Sequence, residues 1–211
     1  MQRIGRRPEE AKRVHNKVGA LARGGDNAAD FARFQTALNL DPNLQESLLG
    51  LATAGLAVGR HAEAAVAAER VLAADPTNKK AARLRYNACF ALDEKPRLVE
   101  ALFGLAPYEP QIASNGLLKV AFDAFDVNDT ALARNAFSKV LRLKPDYPQA
   151  HYFGGLIAIG EGNDAEATTV MGRVRSLAKR FPLQRVVVAD RGMISWDNLE
   201  PLEAMEISPC L

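Results

Sequence analysis

The residues that could do chemistry are few and far apart along the chain. Three histidines, His15, His61 and His151, have no carboxylate or cysteine near them at the spacing that metal ligands use. Histidines in this setting are more often surface or packing residues than metal ligands or catalytic bases. We therefore expect no metal site.

The common sequence signatures of catalysis and cofactor binding are also missing. The chain has no Cys-x-x-Cys pair, no phosphate loop ending in Gly-Lys-Ser or Gly-Lys-Thr, and no Gly-x-Ser-x-Gly elbow. The acidic residues are spread out, so paired-carboxylate catalysis has no candidate beyond the isolated Asp190. We expect no catalytic residue, no cofactor and no enzymatic activity.

Charge and composition favour a globular protein without a nucleic-acid partner. The 211 residues are 48% hydrophobic and 25% charged, and the net charge is only +2. Basic residues do gather near the N-terminus, where we favour a solvated helix face with an unpaired arm over a nucleic-acid contact. They are Arg3, Arg6, Arg7, Lys12, Arg13 and Lys17.

The sequence predicts a cytoplasmic protein without a membrane partner. No apolar run approaches the ~20 residues that a membrane-spanning helix needs, and no apolar stretch follows the charged N-terminus to make a secretory signal. Cys89 and Cys210 lie 121 positions apart. This separation fits two reduced thiols better than a disulfide framework.

Short amphipathic helices are the elements that must position any functional residue. Between residues 45 and 78 the pattern predicts two of them, joined by a tight turn at Gly59-Arg60 and stopped at Asp75-Pro76. One such hairpin cannot bury its apolar side alone. The chain should therefore contain neighbours of the same length.

Prolines mark those neighbours. Steps of 34 residues from Pro76 reach Pro42 upstream and Pro110 downstream, and Pro145 lies one residue beyond the next step. A fixed period of this length is typical of helical repeat arrays. The spacing predicts a chain of stacked hairpins.

The pattern resembles the tetratricopeptide repeat, in which large and small residues of a first helix meet Ala, an aromatic residue and Pro of a second. Two hairpins carry the resemblance. In the hairpin of residues 45–78 the matching residues are Leu48, Leu51, Ala52, Gly55, Gly59, Ala64, Ala68 and Pro76. In the hairpin of residues 114–147 they are Leu117, Val120, Ala121, Ala124, Ala133, Phe137 and Pro145.

The resemblance implies an all-α fold, a right-handed superhelical solenoid of antiparallel helix pairs. We expect a disordered basic arm at residues 1–7, a helical repeat domain at 8–182, and a C-terminal tail at 183–211 that contains one β-strand. The repeats are predicted at residues 8–44, 45–78, 79–113, 114–147 and 148–182.

Two of these repeats carry special predictions. In the third, the second helix ends early at Ala106-Pro107, so a kink or hinge is predicted at residues 107–110. In the fifth, Gly154-Gly155 is predicted at a close helix contact and Gly162 at the turn.

The resemblance also implies a concave groove, lined by the first helix of each repeat, that binds a protein or peptide partner. The groove positions are Glu46, Leu49, Thr53, Leu56, Lys80, Arg83, Asn87, Phe90, Asn115, Leu118, Phe122, Phe125, Gln149, Tyr152, Leu156 and Ile159. Of these, we predict peptide contacts for Lys80, Arg83, Asn87, Phe90, Phe122, Phe125, Tyr152 and Ile159. Aromatic residues beside an arginine are typical of binding hot spots.

Arg83 and Asn87 lie one helical turn apart and resemble half of the carboxylate clamp with which some family members hold a peptide C-terminus. Leu118 and Tyr152 stand where such a clamp would have further polar residues. The sequence allows two roles for the rings of Phe122 and Phe125. Either these rings contact a ligand, or neighbouring helices or the tail bury them.

A second resemblance begins near Gly162. The C-terminal segments around residues 162–170, 177–195 and 198–203 are similar to insertion-sequence transposases with an RNase H-like core, and Asp190 matches the second of that family's three metal-binding carboxylates. Two-metal chemistry needs several converging carboxylates, which this part of the chain lacks. We interpret 183–211 as a catalytically inactive fragment, and an ordinary C-terminal strand or tail as the alternative.

The β-branched run at residues 185–189 predicts the one strand. A lone strand either lies against the repeats, pairs with another copy of the chain, or stays an exposed edge. Self-association through residues 185–189 is therefore one of three outcomes.

Three functional hypotheses follow. The first is a non-enzymatic scaffold or adaptor that binds a peptide segment of a partner in the groove, with Arg83 fixing an acidic group. The second is an inactive remnant of a DNA-transposing enzyme or a DNA-binding accessory, whose binding would weaken steeply with salt. The third is a scaffold domain separated from a lost catalytic domain.

Overall fold

A computed structural model describes residues 26–163, residues 9–10 and 12–16 of an N-terminal helix, and residues 165, 168, 169, 172 and 176. These described residues form helices and contain no strand. The helices are α1 (Asn27–Leu40), α2 (Gln45–Ala57), α3 (His61–Ala74), α4 (Lys79–Leu92), α5 (Lys95–Leu105), α6 (Pro110–Asp126), α7 (Thr130–Leu143) and α8 (Pro148–Gly160). The all-α prediction is confirmed.

The chain divides into two compact units, unit 1 at Met1–Ala113 and unit 2 at Ser114–Leu211. In unit 1 each helix from α1 to α5 packs on the next, and α2 also contacts α4 directly. In unit 2, α7 packs on α8. Short connections make consecutive helices antiparallel, so both units are built from the predicted helix pairs. The superhelical turn and the five repeat boundaries stay predictions.

The turns inside the hairpins share one backbone conformation. Four described residues have a positive φ: Gly59 (78°), Asp93 (54°), Asn128 (60°) and Gly162 (71°). They are 34, 35 and 34 positions apart. Glycine tolerates this left-handed conformation best, and Asn and Asp tolerate it better than other side chains. The repeat is therefore visible in the backbone even where the glycine is replaced.

A backbone hydrogen bond that spans five residues closes three of these turns. The amides of Arg60, Asp129 and Asn163 donate to the carbonyls five residues earlier, at 2.7, 2.8 and 2.8 Å. Bonds of this type satisfy carbonyl groups that the last helical turn leaves unpaired. The next helix can then start at once in the opposite direction.

Four-residue linkers join one hairpin to the next, at residues 41–44, 75–78, 106–109 and 144–147. The second residue of each linker is a proline, and in the third linker that proline is Pro107. The step of 34 residues to Pro110 was therefore a wrong match. Helix α5 has only 11 residues and α6 has 17, so Pro110 falls on the first residue of α6, where proline is well tolerated.

Apart from the turn and linker residues Gly59, Pro76 and Pro145, which are exposed, the residues that carried the family resemblance are buried or nearly buried. In unit 1, Ala52, Ala64 and Ala68 are completely buried, and Leu48 is 2% exposed. In unit 2, Leu117, Ala121, Ala133 and Phe137 are at most 1% exposed. Alanine and glycine at these positions let the helices approach closely, which is the arrangement that the sequence pattern predicted.

Two glycines of α2 show how close the packing is. A methyl group on Gly55 would lie 3.2 Å from Ala64 Cβ, across the hairpin. A methyl group on Gly50 would lie 2.4 Å from Cζ of Phe34, because that ring of α1 rests on the glycine. Phe34 is buried and lies beside His15, with 5.8 Å between the ring centroids.

Gly154 differs from this pattern. Among the described residues, a methyl group placed on it would meet no atom within 4 Å, whereas Gly155 is buried. Most residues predicted to form the other helix of this hairpin lie outside the described ones, so the close contact at Gly154-Gly155 stays a prediction. Helix α8 contacts α7 through Phe153, whose ring stacks on Phe137 at 5.6 Å. Its residues Ala150, Ile157 and Ala158 are at most 2% exposed.

Several predicted segments lie outside the described residues. They are the arm at residues 1–7, the tail at 183–211, the strand at 185–189, Asp190 and Cys210. Within the part of the chain that the structure describes, no helix is both long enough and apolar enough to cross a bilayer.

The contact between Phe34 and Gly50 yields a stability prediction. Gly50→Ala should lower the free energy of unfolding by about 1–3 kcal/mol, because the buried ring cannot move aside without disturbing its neighbours. Urea unfolding followed by circular dichroism measures the change.

Gly104→Ala in the same unit is the control. Its new methyl group would have only Arg85 Nη1 nearby, at 3.9 Å, so the better helix propensity of alanine should leave stability unchanged or raise it by up to ~1 kcal/mol. Equal stability of Gly50→Ala and the unchanged protein would show that the ring relaxes freely.

Candidate functional site

The three histidines lie on three different helices, and two of them have polar contacts. His15 Nδ1 lies 3.1 Å from the hydroxyl of Ser47, and His151 Nε2 lies 2.7 Å from the carbonyl of Pro145. His61 opens α3. Among the described residues, no group of three His, Cys, Asp or Glu side chains could hold a metal ion.

The candidate site is the side of α2 and α4 formed by the predicted groove positions of these two helices, which we call the A-helix face. On α4 it carries Lys80 and Phe90, which are exposed, and Arg83 and Asn87, which are half-buried. On α2 it carries Glu46, Leu49, Thr53 and Leu56, all exposed or half-buried. Because α2 and α4 are in direct contact, we treat these residues as one candidate surface of unit 1.

Phe90 is the most exposed aromatic contact on this face. Its side chain is 63% exposed, and its ring lies 5.9 Å from that of Tyr86, centroid to centroid. Tyr86 in turn lies under the guanidinium of Arg83, at 5.9 Å from ring centroid to Cζ. The three side chains follow one another along α4 and present an aromatic surface with a cationic end.

The cationic end is not available in the way the sequence suggested. Arg83 forms an ion pair with Glu109, which lies in the linker between α5 and α6. This linker is itself fixed, since the hydroxyl of Tyr108 donates to the carbonyl of Thr77 at 2.7 Å. The amides of Tyr108 and Glu109 both donate to Leu105, each at 3.0 Å. Glu109 therefore stands where an acidic group of a partner would have to bind.

The other four predicted contact residues, Phe122, Phe125, Tyr152 and Ile159, lie in unit 2. Phe122 and Phe125 are half-buried, and each ring packs edge-on against Phe153 at 5.0 Å. Phe153 also stacks on Phe137, at 5.6 Å. Of the two interpretations left open for Phe122 and Phe125, the structure favours burial by neighbouring helices.

Tyr152 is buried, with 2% of its surface exposed. Its hydroxyl has no hydrogen-bond partner among the described residues. Burial raises the pKa of Tyr152 to about 12 because the charged phenolate loses its hydration. A residue in this environment packs against its neighbours and does not reach a ligand, whereas Ile159 is half-buried.

A charged cluster joins α3, α4 and α5 through residues other than the predicted groove positions. Arg97 Nη2 of α5 and Arg85 Nε of α4 approach the same carboxylate oxygen of Glu69, at 3.1 and 3.3 Å. The hydrogen bond to Glu69 raises the pKa of Arg97. Beside them Cys89 is a fully buried free thiol, and burial raises its pKa. The cluster ties α3, α4 and α5 together.

Two residues of the candidate site were not predicted from the sequence. Tyr86 lies between the groove positions of α4, and its contact with Phe90 follows from a spacing of four residues that pattern matching could have used. Glu109 is 26 positions from Arg83, and nothing local in the sequence indicates that they pair.

No protein-family model matches the sequence, and no curated protein matches it. Solved structures of helical proteins do. A crystal structure of MamA is 20% identical, with 89% of this chain and 100% of MamA covered and a TM-score of 0.45. MamA from Desulfovibrio magneticus RS-1 is 15% identical, with 81% and 96% covered and a TM-score of 0.45. YrrB, described as a TPR protein with an unusual peptide-binding site, is 14% identical, with 92% and 91% covered and a TM-score of 0.43. Similarity at this level assigns no function to the chain.

The burial of Tyr152 predicts how stability depends on alkaline pH. The folded pKa of about 12 exceeds the ordinary value of 10.0, so the folded chain keeps a proton that the unfolded chain releases. The contribution of this group to stability should be complete below pH 10 and lost as the pH rises through 12.

Absorbance at 295 nm, which reports phenolate, measures the titration directly. The absorbance of Tyr152→Phe is subtracted from that of the unchanged protein at each pH. This difference in absorbance should rise in a single step centred near pH 12. A step centred at the ordinary tyrosine value would contradict the burial of this hydroxyl.

Proposed function

We propose that this chain is a non-catalytic protein-interaction module that binds a peptide segment of a protein partner on the A-helix face of unit 1. One observation carries the proposal. Phe90, a large apolar side chain, is 63% exposed beside Tyr86 and an Arg83–Glu109 ion pair. Exposed aromatic residues with a polar border are typical of binding surfaces.

The energetic argument concerns the area that a partner would cover. Burying apolar surface stabilises a complex by roughly 25 cal/mol per Å², and an aromatic side chain offers a large area with few rotatable bonds to fix. Leu49 and Leu56 of α2 are half-buried on the same face. A ligand side chain that stacks on Phe90 would extend the apolar contact toward α2.

Unit 2 offers corresponding positions. Phe125 and Ile159 stand at the sequence positions that Leu56 and Phe90 occupy in the earlier repeats, at intervals of 34, 35 and 34 residues. Both are half-buried. We assign Ile159 the same kind of apolar contact within unit 2, and we leave Phe122, Phe125 and Tyr152 to the packing of that unit.

The first test removes the aromatic contact. A phage-displayed library of random 12-residue peptides is selected on the full chain, and the selected peptides are synthesised and titrated by fluorescence anisotropy. Phe90→Ala should raise the dissociation constant of peptides that bind the A-helix face at least ~10-fold. Truncating a central aromatic anchor costs ~2 kcal/mol or more of binding free energy.

Val127→Ala is the matched control, since Val127 is 76% exposed in the turn before α7. It should leave the affinities unchanged. The proposed function fails if no selected peptide depends on Phe90.

The second test concerns the ion pair. In Glu109→Gln the guanidinium of Arg83 loses its internal carboxylate, so peptides with an acidic residue beside their apolar anchor should bind roughly two- to five-fold more tightly, the range expected for a partly exposed ion pair. Peptides without an acidic residue should bind as before.

Glu9→Gln removes the same charge from the N-terminal helix, where Glu9 pairs with Lys12 at 3.8 Å, and should have no effect on either peptide class. Equal affinities of Glu109→Gln and the unchanged protein for acidic peptides would show that Glu109 does not compete for Arg83.

A further inference from the structure

A second surface of unit 1 has the features of a binding site and is formed by α1, α2 and α3. It is a cavity of about 320 Å³ between α1 and α3, with α2 as its floor. The residues that shape it are Gln35, Leu48, Leu51, Glu63, Val66 and Arg70. We call it the outer groove. Its volume is at the lower end of the ~300–1,000 Å³ typical of ligand pockets.

In the next repeat, an ion cluster occupies the position that corresponds to the outer groove. The residues 34 positions after Gln35, Leu51 and Glu63 are Glu69, Arg85 and Arg97. Those three form the ion cluster that ties α3, α4 and α5 together, with distances of 3.1 and 3.3 Å to Glu69. In the outer groove the corresponding residues are an amide, a leucine and a carboxylate, so no such cluster can form there.

Val66 lies in the open part of the groove and is 50% exposed. One repeat later the same position is Glu100. The floor under Val66 is apolar, since Leu48 and Leu51 are 2% and 8% exposed. The groove can therefore take an apolar side chain where the next repeat presents a charge.

The charge beside Val66 is positive. Arg70 lies one helical turn further along α3 and donates to the carbonyl of Pro42. In the described part of the chain, no carboxylate is paired with Arg70. Glu63, at the other end of the groove, is already paired with Arg60 at 3.2 Å. The uncompensated charge of the outer groove is thus that of Arg70, whereas Arg83 on the A-helix face is neutralised by Glu109.

We propose that the outer groove is a second peptide-binding site, which takes an acidic amphipathic segment with an apolar side chain over Val66 and a carboxylate against Arg70. Val66 and Arg70 are four residues apart on a helix, which places them about 6 Å from each other along the axis. A helical ligand would meet both with residues three or four positions apart. This site is independent of the one assigned to Phe90.

The same 12-residue phage library tests the proposal on the full chain. Selection should yield a class of peptides with Asp or Glu near an apolar residue, and Val66→Glu should weaken this class at least ~10-fold, because it places the charge of the next repeat in the groove. Val66 is half exposed, so the substitution should not prevent folding, which circular dichroism checks.

Charge reversal then tests the role of Arg70. Arg70→Glu should weaken the acidic class at least ~10-fold, and a new selection on that variant should yield Lys or Arg in place of Asp or Glu. Arg70→Gln, which keeps a donor for the Pro42 carbonyl, should weaken the class to an intermediate extent. Lys80→Glu and Phe90→Ala, on the A-helix face, should leave it unchanged.

Three outcomes would overturn the proposal. The first is a library in which no peptide depends on Val66, even where peptides that depend on Phe90 are found. The second is an unchanged preference for acidic peptides in Arg70→Glu. The third is a dimer in sedimentation that Val66→Glu abolishes, which would assign the groove to a second copy of the chain.

Discussion

Close packing of each helix against the helices before and after it supports every other feature of this protein. A single hairpin leaves one apolar side in water, and only a neighbouring hairpin can cover it. Small residues make the approach close enough, as Gly55 shows at 3.2 Å from Ala64 Cβ. Fully buried Ala81, Ala88 and Ala113 continue this use of small side chains along unit 1. Stability is therefore shared between neighbours and does not belong to any one helix.

The same constraint decides which side chains are available for binding. Residues that face a neighbouring hairpin are buried and cannot contact a ligand, as Tyr152 and Phe137 show in unit 2. Phe90 and Val66 are not covered in this way by the described residues, and they remain 63% and 50% exposed. Internal ion pairs divide the arginines in a similar way. Arg83 is paired with Glu109 and Arg97 with Glu69, whereas Arg70 donates to a carbonyl and is paired with no carboxylate of the described residues.

Much of the fold was predictable because its information is local. Small and large residues at helical spacing placed α2, α3 and α7. Gly59 marked the turn between α2 and α3, and Gly162 marked the turn after α8. Asp93 and Asn128 adopt the same positive φ without being glycine. A search of the sequence for glycine turns therefore misses these two turns. Pro110 was misassigned because the spacing of prolines does not reveal that α5 is short and α6 is long.

The site was less predictable because it depends on contacts between distant residues. The groove positions on α4 proved accessible, but Tyr152 is buried by other parts of the fold. The pairing of Arg83 with Glu109 spans 26 positions and depends on how a linker folds back on α4. The outer groove is visible only when two repeats are compared in three dimensions, since Gln35, Leu51 and Glu63 form no recognisable motif.

Photocrosslinking in cells of the source organism tests the interaction function most directly. p-Benzoylphenylalanine replaces Phe90 in one variant and Val127 in another, and the second position is the more exposed of the two, at 76% against 63%. Irradiation should join position 90 to a discrete protein partner and should give no such product at position 127. No product at position 90, or the same products at both positions, would contradict the assignment of this face as a binding site.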